Sequence, residues 1–174
     1  MRRMNWLAFV ITLFALAGSA QSTTVAWESA ESLCHKADGI VRGAVTETTT
    51  RWHKGLIVTD VTLKVSRSFK GAQQSIVVVT QPGGSLDGQT LRVPGAPSWR
   101  VGREVIVFLE HRGGLWVEVA LGSSAWSIDA DGIATRRMGE VLVRGLPAHG
   151  RRVHDVPVSR FEKEILAYLE MRRP

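Results

Sequence analysis

The chain has 174 residues, of which 44% are hydrophobic, and its 22 lysine and arginine residues against 16 aspartate and glutamate residues give a formal charge of +6. A charged fraction of 22% with 17 glycines is close to globular averages, which excludes a wholly disordered chain, a collagen-like repeat and a multi-span membrane protein. A single cysteine excludes a disulfide framework and a cysteine-rich metal cluster. The composition therefore predicts one small globular domain.

Residues 1–20 have the three parts of a secretory signal peptide. Arg2 and Arg3 make a positive start, an apolar run follows at residues 6–17, and residues 18–20 are the small residues of a cleavage site. The apolar run is too short to cross a bilayer, which needs about 20 residues in a helix. We therefore expect an exported protein, periplasmic or secreted, with no membrane span in the mature chain.

The mature chain is expected to start with a flexible segment at residues 21–27 and to continue as a single domain at residues 28–174. Residues 29–37 show helical spacing of their small and apolar side chains. Cys34 lies on the apolar face of this predicted helix and is expected to be a small buried hydrophobe. An intermolecular disulfide is the alternative, because export places the thiol in an oxidising space.

The clearest periodicity in the chain runs from Leu56 to Phe69. Apolar residues occupy odd positions, namely Ile57, Val61, Leu63, Val65 and Phe69, and polar residues occupy most even ones. This alternation predicts a long strand with one buried face. Since the strand exceeds the usual length, we expect it to bend or to carry a β-bulge.

Further short strands are predicted along the rest of the domain, separated by glycine-rich and proline-rich turns. They are expected at residues 40–45, 76–80, 91–93, 104–109, 115–120, 125–129 and 133–136. A meander of short strands is typical of an antiparallel sandwich or barrel. We therefore predict a mainly β (α+β) domain, a small antiparallel OB-like barrel or sandwich, in which residues 138–156 form a surface connection.

The C-terminal residues 159–172 are predicted to form an amphipathic helix. Ser159 and Glu162 have the S-x-x-E form of a capping box. Phe161 and Ile165 belong to an apolar stripe that continues along the same side of the helix. We expect this stripe to cover an open end or face of the sheet, with a partner-binding helix as the alternative.

The least regular segment of the domain is Gln81 to Gly102. A tryptophan can stack on a sugar or base while neighbouring arginines bind phosphate. The candidate ligand-binding residues are therefore Arg92, Trp99, Arg100 and Arg103. Export separates the protein from the usual nucleic acids, so the ligand predicted for this segment is a polyanion or a glycan.

No catalytic motif is evident, and the five histidines show no metal-ligand spacing. The segment from Asp129 to Gly132 has the D-x-D-G form that opens some calcium loops, but a hairpin turn explains it better. No catalytic residue, metal or cofactor is predicted. The leading hypothesis is an exported non-catalytic binding domain that engages an envelope protein, and an anionic surface is the other candidate partner. The alternatives are polyanion or glycan binding through residues 81–103, and a hydrolase with an unrecognised site.

Several segments between residues 37 and 109 resemble a group of uncharacterised exported bacterial proteins. They are Ala37–Val45, Ile57–Val65, Phe69–Gly71, Gln81–Gly84, Val93–Pro97 and Val101–Leu109. The resemblance implies an exported, compact domain and no particular chemistry. The order of helix, long strand, meander and terminal helix is also similar to OB-type barrels, including the netrin-like barrel of metalloproteinase inhibitors. Those inhibitors bind zinc through a disulfide-bonded N-terminal cysteine, which this chain lacks, so their mechanism is not implied.

Overall fold

The computed structural model describes residues 24–26, 28–71, 73–137, 142–144 and 152–171, and the predicted signal peptide lies outside them. The described helices are α1 (Ala30–Lys36) and α2 (Val158–Glu170). The described strands are β1 (Thr24–Ala26), β2 (Gly39–His53), β3 (Leu56–Lys70), β4 (Ile76–Pro82), β5 (Gly84–Leu86), β6 (Gln89–Leu91), β7 (Glu104–Arg112), β8 (Leu115–Glu118), β9 (Ala125–Ile128), β10 (Ile133–Arg137), β11 (Leu142–Arg144) and β12 (Arg152–Pro157).

A largely antiparallel sheet of 8 strands in the order β12-β10-β9-β7-β2-β3-β4-β8 dominates the fold. Its centre is the hairpin of β2 and β3, whose two-residue turn at Lys54 and Gly55 has φ values of 49° and 79°. Positive φ at both turn positions is the geometry that matches the right-handed twist of the flanking strands. The expected mainly β class, with a helix near each end of the domain, is confirmed.

The predicted alternation along β3 is confirmed by burial. Ile57, Val61 and Leu63 are at most 3% exposed, whereas Lys64 and Ser66 on the other face are exposed. The ladder between β2 and β3 also shifts register at several points, as expected for a strand of this length. Such bulges bend both strands, so the hairpin curves around the apolar side chains on its inner face.

Because the sheet is curved, β8 pairs with two strands, β7 and β4. β8 pairs with β7 along its whole length, from Leu115 opposite Arg112 to Glu118 opposite Leu109. It meets β4 at a single parallel pair, Val79 with Trp116. The sheet therefore curls onto itself without a continuous closing ladder.

Two apolar clusters form the core. One lies inside the curled sheet and consists mainly of valines on β2, β3, β4 and β7, together with Leu63 and Leu109. The other lies between the sheet and the helices, where Phe161 and Ile165 of α2 are 3% and 0% exposed. The expectation that the C-terminal stripe covers the sheet is thus confirmed. Neither described helix combines the length and the apolar composition needed to pass through a bilayer.

The expected capping box at Ser159 is wrong. The N-cap of α2 is Pro157, which makes no side-chain cap hydrogen bond, and the N–H of Val158 donates to the carbonyl of Gly132 at 2.8 Å. Glu162 is instead bound by arginines from the sheet. Charged donors on β2 and β3 outcompete a local backbone N–H, because hydrogen bonds between charged groups are the stronger ones.

Two segments are more regular than their sequences suggest. The expected surface connection at residues 138–156 contains β11 and most of β12, and β12 is antiparallel to β10. Residues 24–26, within the expected flexible segment, pair in parallel with β11. Each of these strands pairs with a strand elsewhere in the chain, and local periodicity does not identify such partners. The strand expected at residues 91–93 lies slightly earlier, as β6 of a small hairpin with β5.

Candidate functional site

A cleft of about 160 Å³ lies between the loop before β7 and the strands β9 and β10. The polar and aromatic side chains that line it are those of Trp99, Arg100, Arg103, Ser127, Asp129 and Thr135. A more open groove of about 490 Å³ shares Arg100, Arg103 and Asp129 with this cleft. Trp99, Arg100 and Arg103 of the predicted site are therefore brought together, whereas Arg92 does not line either space.

The floor of the cleft is a row of residues that face one another across neighbouring strands. Val105 of β7 pairs with Ser127 of β9, and Ser127 pairs with Thr135 of β10. Side chains of directly paired residues lie on the same face of a sheet, which sets the two hydroxyl groups side by side. Thr135 donates its hydroxyl to Oδ1 of Asp155 at 2.7 Å, while the Ser127 hydroxyl has no hydrogen-bond partner within the described ranges.

Trp99 forms a rigid wall of the cleft. Its ring is half-buried and packs against the valine cluster inside the curled sheet. The indole Nε1 donates to Oε1 of Gln81 at 2.6 Å, and Nε2 of Gln81 donates to the carbonyl of Pro97 at 3.4 Å. Because both the ring and its N–H are engaged, the orientation of Trp99 is set before any ligand arrives.

The arginines of the predicted site differ from the other arginines of the domain. The side chains of Arg92, Arg100 and Arg103 are exposed and, among the residues described, make no ion pair or hydrogen bond. Arg136 donates to the carbonyl of Glu28. The remaining arginines with described side chains bind carboxylates, and they are Arg42, Arg51, Arg67, Arg112 and Arg160. Two guanidinium groups beside the cleft are therefore free to bind an anion.

Asp129 shapes one end of the cleft. Its Oδ1 accepts hydrogen bonds from the N–H groups of Asp131 at 3.0 Å and Ile133 at 2.9 Å. This is the geometry of an aspartate that closes a tight turn, so the hairpin interpretation of residues 129–132 is confirmed. Within the part of the chain that the structure describes, no three histidine, cysteine or acidic side chains are arranged to hold a metal ion.

Sequence reasoning missed Glu118, a buried carboxyl at the end of β8. It is 6% exposed, and its Oε2 accepts the N–H of Gly122 at 3.0 Å, while Oε1 has no hydrogen-bond partner within the described residues. Burial raises the pKa of Glu118 to about 7, and the bond from Gly122 opposes that rise. The sequence signal that could have indicated a buried Glu118 was its position within the apolar segment Leu115–Ala120.

The loop that Glu118 holds borders the cleft. A side chain at Gly122 would collide with the carbonyl of Gly95, so residues 119–124 lie directly against the segment that leads to Trp99. The loop ends at Ala125, which also lines the cleft. Glu118 thus contributes to the packing of two segments that border the cleft.

Comparison of the chain with protein-family models, with curated proteins and with solved structures finds no match.

Proposed function

We propose that the protein is an exported, non-catalytic binding domain. Its ligand is a polyanion or an anionic glycan, which it binds in the cleft at Trp99, Arg100 and Arg103. The observation that carries this proposal is the pair of exposed guanidinium groups without a carboxylate partner that line the cleft, whereas the other arginines with described side chains, apart from Arg92, are engaged. A fixed tryptophan and free arginines on a concave surface are what recognition of an anionic ligand requires.

Export and family membership belong to the same proposal. The signal-peptide pattern at residues 1–20 supports export to the periplasm or the medium. We further propose that the domain is a partly open OB-like barrel of the exported bacterial group that it resembles. The order β7-β2-β3-β4-β8, with β8 also paired to β7, supports this, because it is the circular order of a small five-stranded barrel.

The proposed function is tested by removing the two cleft arginines. The double variant Arg100→Ser/Arg103→Ser is expected to bind anionic polymers such as polyphosphate and polygalacturonate at least about tenfold more weakly by calorimetry at low salt, because it loses two charge-assisted contacts. Binding of the unmodified protein should weaken as salt rises to about 0.5 M.

Arg92→Ser is the matched control for this experiment. Arg92 lies in the same segment, is exposed and has no partner within the described residues, but it does not line the cleft. Its substitution should leave binding within about twofold. Equal losses in the two variants, or no binding of any anionic polymer at low salt, would refute the proposal.

A second candidate function is contact with an envelope protein. Ile76 and Val78 lie on the same face of β4 and are 56% and 43% exposed, a pairing of apolar side chains that suits a protein contact. If this function holds, capture of a partner from native envelope material should persist in about 0.5 M salt and be lost in Ile76→Thr/Val78→Thr. The cleft variant Arg100→Ser/Arg103→Ser should then capture the partner normally.

A further inference from the structure

Two polar groups in the cleft are available to a ligand beside the arginines, one on half-buried Ser127 and one on exposed Asp129. The half-buried hydroxyl of Ser127 and Oδ2 of Asp129 both lack a hydrogen-bond partner within the described part of the chain. A phosphate or sulfate group offers acceptors, so it cannot donate to the Asp129 carboxylate. A sugar hydroxyl both donates and accepts, so a saccharide can pair with both groups.

The charge of the cleft also limits the ligand. Arg100 and Arg103 contribute +2 and Asp129 contributes −1, which leaves a surplus of +1 along the lining. Asp155 lies one strand beyond and is bound by Thr135. A densely charged polymer would place several anions against Asp129, and like charges brought together in this way disfavour binding.

The shape of the site suits a chain rather than a single molecule. The cleft of about 160 Å³ offers room for one sugar residue beside Trp99. The open groove of about 490 Å³ continues past Arg100 and Arg103 to Val101 and Ala130, and it gives the adjoining residues of a polymer a path along the surface. Glu104 also lines this groove, and Arg42 binds both of its carboxylate oxygens. Aromatic walls with a few fixed polar groups are the usual construction of such ligand sites.

We infer that the cleft binds an acidic polysaccharide that carries one carboxylate on each charged sugar. Arg100 and Arg103 bind the carboxylate, Trp99 contacts the ring, and Ser127 and Asp129 pair with ring hydroxyls. This inference rests on the proposed function and narrows it to one ligand class.

Calorimetry with four polymers tests the inference on the purified protein. Polygalacturonate has carboxylates and hydroxyls, polyacrylate has carboxylates only, polyphosphate has dense charge, and dextran has hydroxyls only. Polygalacturonate is expected to bind at least about tenfold more tightly per charged group than polyacrylate or polyphosphate, and dextran should show no heat of binding.

Asp129→Asn supplies the second arm of the test. The asparagine keeps an Oδ1 that can accept from Asp131 and Ile133, but it removes the negative charge and replaces the free acceptor with a donor. The variant is expected to bind polyphosphate several-fold more tightly, because a like charge is removed. Polygalacturonate should gain less, because its hydroxyl exchanges a charged acceptor for a neutral amide, so the preference for polygalacturonate over polyphosphate should fall. Ser127→Ala should weaken polygalacturonate binding, and polyphosphate, which can use this hydroxyl only as a donor, should lose less. Asp131→Asn, at an exposed neighbour outside the lining, is the matched control. It should not change the ratio of the affinity for polygalacturonate to the affinity for polyphosphate.

The outcomes separate the two levels of the proposal. If polyphosphate or polyacrylate binds as well as polygalacturonate, or if neither Asp129→Asn nor Ser127→Ala changes the preference for polygalacturonate over polyphosphate, the saccharide inference is overturned while anion binding stands. If no charged polymer binds at low salt to the unmodified protein or to any of the variants, anion binding itself is overturned. Circular dichroism of each variant establishes that it is folded, and Ser127→Ala decides the matter should Asp129→Asn fail to fold.

Discussion

Arg42 on β2 binds Glu162 on α2 although 120 residues separate them in sequence, with Nη1 of the arginine 3.0 Å from Oε1 of the glutamate. The same guanidinium binds both carboxylate oxygens of Glu104 on β7, at 2.8 and 2.7 Å. Arg67 on β3 binds the second oxygen of Glu162 at 2.5 Å. Glu162 thus ties the C-terminal helix directly to β2 and β3, and Arg42 connects it further to Glu104 on β7.

Glu162→Ala is expected to lower the free energy of unfolding by about 2 kcal/mol. The Glu162 side chain is 12% exposed, and its loss leaves Arg67 without a carboxylate. Urea denaturation followed by circular dichroism measures the change. Glu164→Ala on the same helix removes an exposed pair with Arg160 and should cost less than about 0.5 kcal/mol. Similar losses in the two variants would contradict the role assigned to Glu162.

Phe161→Ala is expected to be more costly, at about 3 to 5 kcal/mol. The Phe161 ring lies 4.8 Å from that of Trp126 and 6.3 Å from that of Phe108 between centroids, so its removal opens a cavity under the helix. Thermal denaturation should show the loss as a large fall in Tm. Met171→Ala, at a position that is 70% exposed, should stay within about 0.5 kcal/mol of the unmodified protein. A small effect of Phe161→Ala would mean that α2 does not cover the core.

Because of Glu118, we expect the free energy of unfolding to fall as pH rises. Burial raises the pKa of Glu118 in the folded state to about 7, above the ordinary glutamate value of 4.5 that applies in the unfolded chain, so the folded protein binds this proton more tightly. The contribution of Glu118 is most favourable below about pH 4.5 and is lost between there and about pH 7, up to about 3 kcal/mol in all.

Glu118→Gln isolates this contribution. The uncharged side chain can still accept a hydrogen bond from the N–H of Gly122. The free energy of unfolding of the variant should therefore rise relative to that of the unmodified protein as pH rises from about 5 to 8. Denaturation in urea at several pH values measures the difference. Glu47→Gln, at an exposed position, should follow the unmodified protein throughout. A difference between Glu118→Gln and the unmodified protein that does not vary with pH would refute the assignment.

Cys34 is expected to be unreactive in the folded protein. The side chain is 1% exposed, and burial raises the pKa of its thiol to about 11, which suppresses the thiolate that reacts with disulfide reagents. Labelling with a chromogenic disulfide should be at least about tenfold slower than in urea, and non-reducing gels should show a monomer. An exposed thiol introduced by Ser66→Cys should react at once. Rapid labelling of native Cys34, or a disulfide-linked dimer, would show that the helix does not protect it.

The secondary structure of this chain could be predicted where the pattern is local. The alternation from Leu56 to Phe69 and the stripe containing Phe161 and Ile165 depend on residues within a few positions of one another, and both were found. The capping box at Ser159 was wrong, because arginines distant in sequence bind Glu162. Residues 152–157 and 24–26 form strands with partners that local periodicity does not identify.

The sequence by itself determined the long half-buried strand β3, the covering helix and one wall of the candidate cleft, since Trp99, Arg100 and Arg103 are neighbours along the chain. The extension of β2 to His53, which makes a long hairpin with β3, was not predicted. Only the tertiary structure decided that Ser127 and Asp129 face those residues and that Arg92 does not join them. The physical reason is register. The pairing of β7 with β9 sets which side chains of β9 line the cleft, and that pairing depends on contacts across the whole sheet.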